Sequence, residues 1–461
     1  MMDIGVLSGR FDGRLLTPQD AAYEDGRGVF NSMVTVKPAV IAQCEHTSDV
    51  KEALAFARRN GMPVAVRSGG HSVAGACLVE GGLVLDLRKI NSVSISPDAR
   101  TAVVGGGSTW AAVDGATQPL GVATTGGRVS TTGVGGLTLG GGSGWIERKF
   151  GLACDNLLSV DLVLADGRLV TASETENPDL FWALHGGGGN FGVATSFTFR
   201  LYPLPEFSMA LLLWPAAEGE TVARRYRDFM EQAPDEVGGG LIYLTGPPEE
   251  FVPQHLVGTL CCGVLVTLVG GEAELRDMVA PLLELEPDGQ VLTEIPYAGL
   301  QSMLDDPPGL RNYWSAEYLS ELPDEAVRLF CATADEMITP SPSQHALLPW
   351  GGAVEHNGAG WPMTNRDAPW VAHPLGIWED PADDDQARRW AHAVRDALRP
   401  WSTGATYLNF IGDEGADRVI AAYGRENYDR LAAIKAEFDP DNVFNRWHNI
   451  VPSEHRPAQP V

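Results

Sequence analysis

The chain has 461 residues, of which 44% are hydrophobic and 20% charged, a composition typical of a globular protein of two or three domains. It carries 33 Lys and Arg against 60 Asp and Glu, a formal net charge of −27. This negative excess argues against nucleic acid and anionic membrane surfaces as partners. The longest apolar stretch, residues 256–269, is shorter than the about 20 residues that a membrane-spanning helix needs.

The first residues and the cysteines of the sequence predict a cytoplasmic protein. Residues 1–5 lack the basic segment and apolar run of a signal peptide. The six cysteines are scattered and form no CxxC pair, which predicts free thiols in a reducing compartment.

The first half of the chain alternates predicted strands and helices. Strands are predicted at residues 38–44, 64–66, 83–87, 93–96, 101–104, 158–164, 168–172 and 193–201, and helices at 49–60 and 177–185. The pattern changes at residues 202–205. Beyond them we predict a second unit with strands at 210–214, 241–245 and 260–269, then a helix over 415–438 and a frayed tail from 452.

Many of the 53 glycines cluster near predicted strand ends. The clusters are Gly105–Gly107, Gly126–Gly127 and the run from Gly133 to Gly144, and the loop Arg67–Ser72 follows a strand. Glycine lets a ligand approach the main chain closely, and successive N–H groups form an anion-binding nest. Several such loops predict a dinucleotide site rather than simple turns.

Other classes of site are not supported by the motifs present. The GxGxxG match at residues 187–192 follows a helix and precedes a strand, the reverse of the order in a Rossmann fold. The sequence has no Walker A motif, no zinc-type Cys/His spacing, no HExxH and no GxSxG. We therefore predict neither ATP nor a bound metal.

The loop Arg67-Ser-Gly-Gly-His71-Ser72 resembles the flavin-attachment motif of the berberine-bridge-enzyme-like oxidases, in the vanillyl-alcohol-oxidase/PCMH flavoprotein superfamily. Residues 122–127, 132–142, 149–156, 179–192, 407–410 and 423–444 resemble further segments of that family. The resemblance implies an α+β fold: a PCMH-type FAD-binding domain of two α/β subdomains, with an inserted substrate domain of antiparallel sheet backed by helices. The implied divisions are an N-terminal segment 1–30, the FAD domain 31–205, the substrate domain 206–404, a C-terminal segment 405–452 returning to the FAD domain, and a tail 453–461.

The resemblance also implies FAD bound covalently through His71 and the 8α-methyl of the flavin. Many relatives hold a second tether through a cysteine at the position of Val129, so we expect a single tether, as in bacterial hydroxynicotine-oxidase-like relatives. Cys154 is interpreted as a buried small hydrophobe. The implied cofactor-binding residues are His71, Arg67, Ser68, Gly69, Gly70, Ser72, Gly75, Thr125, Gly126, Ser130, Thr131, Gly133, Gly136, Gly140, Val193 and Asn409.

Four residues are candidates for catalysis. Thr132 matches the position beside the flavin edge where O₂ reacts, although simple packing is the alternative. Glu355 is the candidate base, on a strand over residues 350–356 whose alternation places it beside Ala353; a sheet-edge glutamate facing water is the alternative. Tyr407 and Asn409, expected on one strand face, could orient the substrate or act in acid–base chemistry.

The expected substrate-binding residues are Trp145, Leu137 and Ala353, with a core position as the alternative for Trp145. Together these features predict an FAD oxidase that removes a hydride from a small natural product, such as an alkaloid or polyketide-type metabolite, and reduces O₂ to H₂O₂. Alternatives are a carbohydrate or amine oxidase of the same family, or a flavin-bearing cyclase, isomerase or binding protein. We expect a monomer or homodimer.

Overall fold

The computed structural model describes residue 7 and residues 9–305, 308–358 and 360–454, and statements of absence below concern those residues. Residues 1–5 and most of the predicted tail lie outside them. The strands are β1 (Arg14–Leu16), β2 (Val40–Gln43), β3 (Val64–Arg67), β4 (Leu83–Asp86), β5 (Val93–Ile95), β6 (Thr101–Gly105), β7 (Val122–Ala123), β8 (Leu157–Val163), β9 (Leu169–Ser173), β10 (Val193–Arg200), β11 (Tyr202–Pro203), β12 (Ser208–Pro215), β13 (Val237–Thr245), β14 (Leu260–Leu268), β15 (Gly289–Glu294), β16 (Arg311–Trp314), β17 (Glu317–Leu319), β18 (Gln344–Pro349) and β19 (Trp370–Trp378).

The described α-helices vary from one turn to 23 residues. They are α1 (Tyr23–Arg27), α2 (Thr47–Arg59), α3 (Trp110–Thr117), α4 (Val134–Leu139), α5 (Glu147–Phe150), α6 (Pro178–Ala183), α7 (Gly219–Met230), α8 (Glu272–Met278), α9 (Ala280–Leu283), α10 (Tyr297–Met303), α11 (Asp324–Thr333), α12 (Ala353–Asn357), α13 (Asp384–Leu398) and α14 (Ala416–Phe438). None of them is both long and apolar enough to cross a bilayer.

Two sheets form the first part of the fold. The four-stranded sheet has the order β1-β2-β4-β3, with β4 parallel to both β2 and β3. Its three parallel strands are almost entirely buried, which explains their continuous runs of aliphatic residues. The five-stranded sheet has the order β5-β6-β10-β8-β9 and is antiparallel. The predicted α2 helix and the hairpin of β8 and β9 are confirmed.

An eight-stranded antiparallel sheet forms the second part. Its order is β15-β12-β14-β13-β18-β19-β16, and β17 pairs with β19 outside this path. One face packs against α7, α11 and α13 in a large apolar core. The α+β class, with an antiparallel sheet backed by helices, is therefore confirmed, whereas the residue boundaries of the domains stay predictions.

The C-terminal segment contacts the glycine-rich region of the first part. Lys435 on α14 is fully buried, forms an ion pair with Asp439 at 2.9 Å, and donates to the carbonyl oxygen of Asn190 at 2.7 Å. The Oδ1 atom of Asn190 in turn accepts from the N–H of Ile450. The predicted helix over 415–438 is present, but Gly424 (φ 70°, ψ 156°) interrupts it.

Two predicted strands are wrong. Strand β18 ends at Pro349, because Gly351 (φ 98°) and Gly352 (φ 56°) adopt left-handed backbone that turns the chain into the short helix α12. Glu355 therefore lies on an exposed helical turn. Residues 407–410 are also not a strand, since Leu408–Phe410 forms a single 3₁₀ turn.

Candidate functional site

A cavity of about 310 Å³ runs between the parallel sheet and the eight-stranded sheet. It is lined by β3, by Trp447 and by the strands β18 and β19. The predicted loop at residues 68–72 and the glycine-rich start of α4 line it too. Its size is at the lower limit of ligand pockets.

The glycines of this cavity leave room beside the main chain. A Cβ atom built on Gly136 or Gly189 would meet no heavy atom within 4 Å. Gly69 and Gly133 instead bring two loops together: a Cβ on Gly69 would lie 2.3 Å from the backbone nitrogen of Gly133. Bare backbone on a cavity wall lets a pyrophosphate approach the main-chain N–H groups, so these residues fit FAD.

His71 lies on the cavity wall in a constrained position. Its ring stacks on Phe30, with centroids 4.4 Å apart and planes inclined by 17°. Its Nε2 lies 3.0 Å from Oγ1 of Thr131. Burial lowers the pKa of His71 from 6.5 to about 4, so the imidazole is neutral at neutral pH and keeps a lone pair on one ring nitrogen.

About half of the predicted site residues line this cavity. Those that do are Ser68, Gly69, Gly70, His71, Ser72, Thr132, Gly133, Gly136, Leu137, Trp145 and Asn409. Those that do not are Arg67, Gly75, Thr125, Gly126, Ser130, Thr131, Gly140, Val193, Ala353, Glu355 and Tyr407.

Several of the second group have structural contacts that explain their positions. The Arg67 guanidinium donates to the carbonyl oxygens of Gly26 and Gly28, so it holds the N-terminal segment. Thr125 donates to the carbonyl oxygen of Gly151 at 2.7 Å. Ser130 binds the carboxylate of Asp305 through its N–H and its hydroxyl. The side chains of these three residues therefore form hydrogen bonds with other parts of the protein instead of lining the cavity.

Tyr407 is a buried clamp on the glycine run. Its hydroxyl oxygen accepts hydrogen bonds from the N–H groups of Gly142 at 2.6 Å and Ser143 at 3.0 Å. Nδ2 of Asn409 donates to the same oxygen at 3.0 Å and to the carbonyl of Leu137 at 2.9 Å. Burial raises the pKa of Tyr407 well above its ordinary value, which disfavours ionisation.

Arg128 also lines the cavity, and Nη2 is the one guanidinium nitrogen that forms hydrogen bonds with the described residues. Its Nη2 donates to Oε1 of Glu147 at 2.7 Å and to Oγ of Ser143 at 3.1 Å. Its guanidinium lies 4.5 Å from the ring centre of Trp145, whose Nε1 donates to the Arg128 carbonyl oxygen. The Nε and Nη1 atoms are buried and have no hydrogen-bond partner among the described residues.

Sequence reasoning missed the wall that the eight-stranded sheet contributes. The side chains of Gln344, Ala346 and Leu348 on β18 face the cavity by strict alternation. His373 and Leu375 on the neighbouring strand β19 line it too. The sequence carries no local signal for this wall, because residues 344–349 (Gln-His-Ala-Leu-Leu-Pro) do not alternate polar and apolar residues.

Comparison with known proteins supports a flavoprotein. The model of the FAD binding domain matches residues 38–173, and the model described as berberine and berberine like matches residues 406–451. The chain is 30% identical to (R)-6-hydroxynicotine oxidase of Paenarthrobacter nicotinovorans over 454 residues, 95% of this chain and 97% of that protein.

Solved structures share the fold of this chain over almost its whole length. The crystal structure of 6-hydroxy-D-nicotine oxidase from Arthrobacter nicotinovorans superposes with a TM-score of 0.84 at 27% identity, covering 96% of this chain and 98% of the other. The BBE-like 1 protein of Physcomitrella patens shares the fold with a TM-score of 0.86 at 23% identity, covering 98% and 100%.

The fold, the glycine cavity and these matches define an FAD-linked oxidoreductase. The chain belongs to the berberine-bridge-enzyme-like family, as the flavin-loop motif indicated.

Proposed function

We propose that the protein is an oxidase that holds FAD covalently through a ring nitrogen of His71. The observation that carries this proposal is the neutral, stacked imidazole of His71 at the wall of a glycine-lined cavity. A neutral imidazole has a lone pair available for such a bond, whereas an imidazolium has none. The flavin supplies a two-electron acceptor, and the protein orients it against the substrate.

The oxidation that we propose removes a hydride from a C–H bond of a small natural product. The two electrons pass to O₂, which leaves as H₂O₂. Thr132 lines the cavity with a small side chain, and we propose that it leaves room for O₂. Leu137 and Trp145, which also line the cavity, are the proposed walls for the substrate.

A single tether is part of the proposal. Val129 stands on the cavity wall where a second-tether cysteine would be needed. Cys154 is fully buried and does not line the cavity, and burial raises the pKa of its thiol. Cys77 does line the cavity, which makes it the competing attachment site to be tested.

The test of the tether is the colour of denatured protein. His71→Ala should release all flavin on denaturation, whereas the wild type and the surface control His356→Ala should keep it bound. Flavin that stays with denatured His71→Ala would contradict the proposal, and peptide mapping would then show whether Cys77 holds it.

The test of the activity is anaerobic reduction of the flavin by a panel of alcohols, amines and sugars, followed by measurement of H₂O₂ when air is admitted. We expect one H₂O₂ for each substrate oxidised. If no compound reduces the flavin, the oxidase proposal fails, and a structural flavin in a cyclase, isomerase or binding protein becomes the better hypothesis.

A further inference from the structure

His373 presents a hydrogen-bond acceptor to the cavity. Its Nδ1 lies 2.8 Å from the carbonyl oxygen of Ser315. Because a carbonyl oxygen only accepts hydrogen bonds, Nδ1 must carry the proton, and the neutral ring then has its lone pair on Nε2. This Nε2 is buried and has no partner among the described residues, although His373 lines the cavity and is only 2% exposed.

The ring of His373 is held firmly in this orientation. It stacks on Phe410 with centroids 4.1 Å apart and planes inclined by 4°, and it meets the edge of Trp314 at 5.7 Å. Burial, with a smaller contribution from the positive charge of Arg128, lowers the pKa of His373 to about 3. The ring is therefore a neutral acceptor at neutral pH.

Hydrogen-bond donors lie on the same cavity. Trp314 contacts His373 and lines the cavity, and its indole N–H is buried without a partner in the described parts of the chain. Arg128 contributes two further donor atoms, Nε and Nη1, which are also buried and have no partner among the described residues. A buried donor or acceptor left without a partner destabilises the protein, so a bound ligand that satisfies these groups gains affinity.

The charge of the lining opposes a cationic ligand. The charged lining residues within the described ranges are Arg128 and Arg446, and no Asp or Glu lines the cavity there. Both charged lining residues are thus cationic, although the chain carries a net charge of −27 and the buried carboxylate of Glu147 pairs with Arg128 outside the lining. A protonated amine can only donate hydrogen bonds, so it could not pair with the N–H groups of Trp314 and Arg128. It would also place a second cation near the Arg128 guanidinium, which lacks part of its hydrogen bonding.

We propose that the cavity selects a neutral or anionic hydroxyl compound with an aromatic ring, whose O–H donates to Nε2 of His373, and that it rejects protonated amines. A hydroxyl group suits this wall because it donates to His373 and accepts from Trp314 or Arg128. Phe30, Trp314 and Phe410 supply flat aromatic surface for the ring. The inference rests on the proposed function, since it names the substrate class of the same cavity.

Binding of matched small probes to the holoenzyme tests this inference without turnover. Benzyl alcohol and benzylamine differ in one group, and benzoate adds a negative charge. Anaerobic isothermal titration at pH 7.5 should show benzyl alcohol binding at least tenfold more tightly than benzylamine, a difference of about 1.4 kcal/mol.

Three variants locate the effect. His373→Phe should weaken benzyl alcohol at least tenfold, and His373→Gln, which keeps an acceptor, should restore part of the affinity. Arg128→Gln should weaken benzoate and strengthen benzylamine. The matched control is His345→Phe on β18, because His345 is equally buried but belongs to the opposite face of the sheet.

Equal or tighter binding of benzylamine by the wild type would overturn the inference, as would unchanged alcohol binding by folded His373→Phe. If neither His373 variant folds, ¹⁵N NMR of the wild type decides: benzyl alcohol should shift the unprotonated Nε2 resonance of His373, and an unshifted resonance refutes the contact. These outcomes are separable from failure of the oxidase proposal, which is judged by flavin reduction alone.

Discussion

Replacement of Tyr407 by Phe separates a structural role from the catalytic role that the sequence suggested. The hydroxyl oxygen accepts from the N–H groups of Gly142 and Ser143 and from Nδ2 of Asn409, and the side chain is 1% exposed. Without it, two buried backbone N–H groups lose their acceptor. At about 1–3 kcal/mol for each group, the free energy of unfolding should fall by about 2–6 kcal/mol.

The matched control for this change is Tyr423→Phe. Tyr423 is equally buried, but its hydroxyl donates a single hydrogen bond, to the carbonyl oxygen of Gly186 at 2.9 Å. Because a carbonyl oxygen with one lost bond is better tolerated than two lost N–H partners, Tyr423→Phe should cost about 1 kcal/mol.

Urea unfolding followed by fluorescence and circular dichroism measures both variants, and absorbance gives the flavin content of each. Tyr407→Phe should be the less stable variant, with lower flavin content because Ser143 and Asn409 line the cavity. The clamp interpretation is refuted if Tyr407→Phe is as stable as Tyr423→Phe. Loss of flavin reduction at full stability would instead support the catalytic role.

The remaining predictions concern the tether, the displaced glutamate and pH. Val129→Cys should create a second flavin attachment, detected as flavin retained by the Val129→Cys/His71→Ala double variant after denaturation; its complete release would show that residue 129 does not reach the ring. Glu355→Gln should leave flavin reduction and stability unchanged within about 0.5 kcal/mol because residue 355 is solvent-exposed on α12, and a large loss of rate would reinstate it as the base. Burial lowers the pKa of His185 and of His345 from 6.5 to about 4, so each of these histidines binds more protons in the unfolded chain below pH 6.5. The contribution of each histidine to stability should therefore be full above that pH and fall by about 2 kcal/mol between pH 7 and pH 5. If His185→Gln and His345→Gln leave the pH dependence of the denaturation midpoint unchanged over this range, that reasoning is wrong.

Local sequence patterns predicted much of the first part of the fold correctly. Helix α2 buries Val50, Ala53, Leu54 and Ala57, the spacing of one helical face, and it ends beside Gly61 as expected. The hairpin of β8 and β9 turns at Gly167, whose φ of 87° favours glycine. Such features depend on neighbours within a few residues, which is why they can be read without the fold.

The second part of the site was harder to predict. Alternation over residues 350–356 was a reasonable pattern, but the strand ends at Pro349 and two left-handed glycines redirect the chain. The acceptor on His373 depends on Ser315, 58 residues away, and on Phe410, which stacks on it. No local pattern in the sequence shows which ring nitrogen of a histidine donates a hydrogen bond to a distant carbonyl oxygen.

The amino-acid sequence alone was sufficient to indicate a dinucleotide cavity built on glycine, because bare backbone is a local property, and the resemblance of residues 67–72 to a family motif implied a flavin loop at His71. Its net charge of −27, however, describes the whole chain. Only the tertiary structure brings Arg128, Trp314 and His373 onto one cavity, and only it removes Glu355 from that cavity. The sign of a binding site is set by the few groups that burial leaves facing it, and these come from strands and loops far apart in the chain.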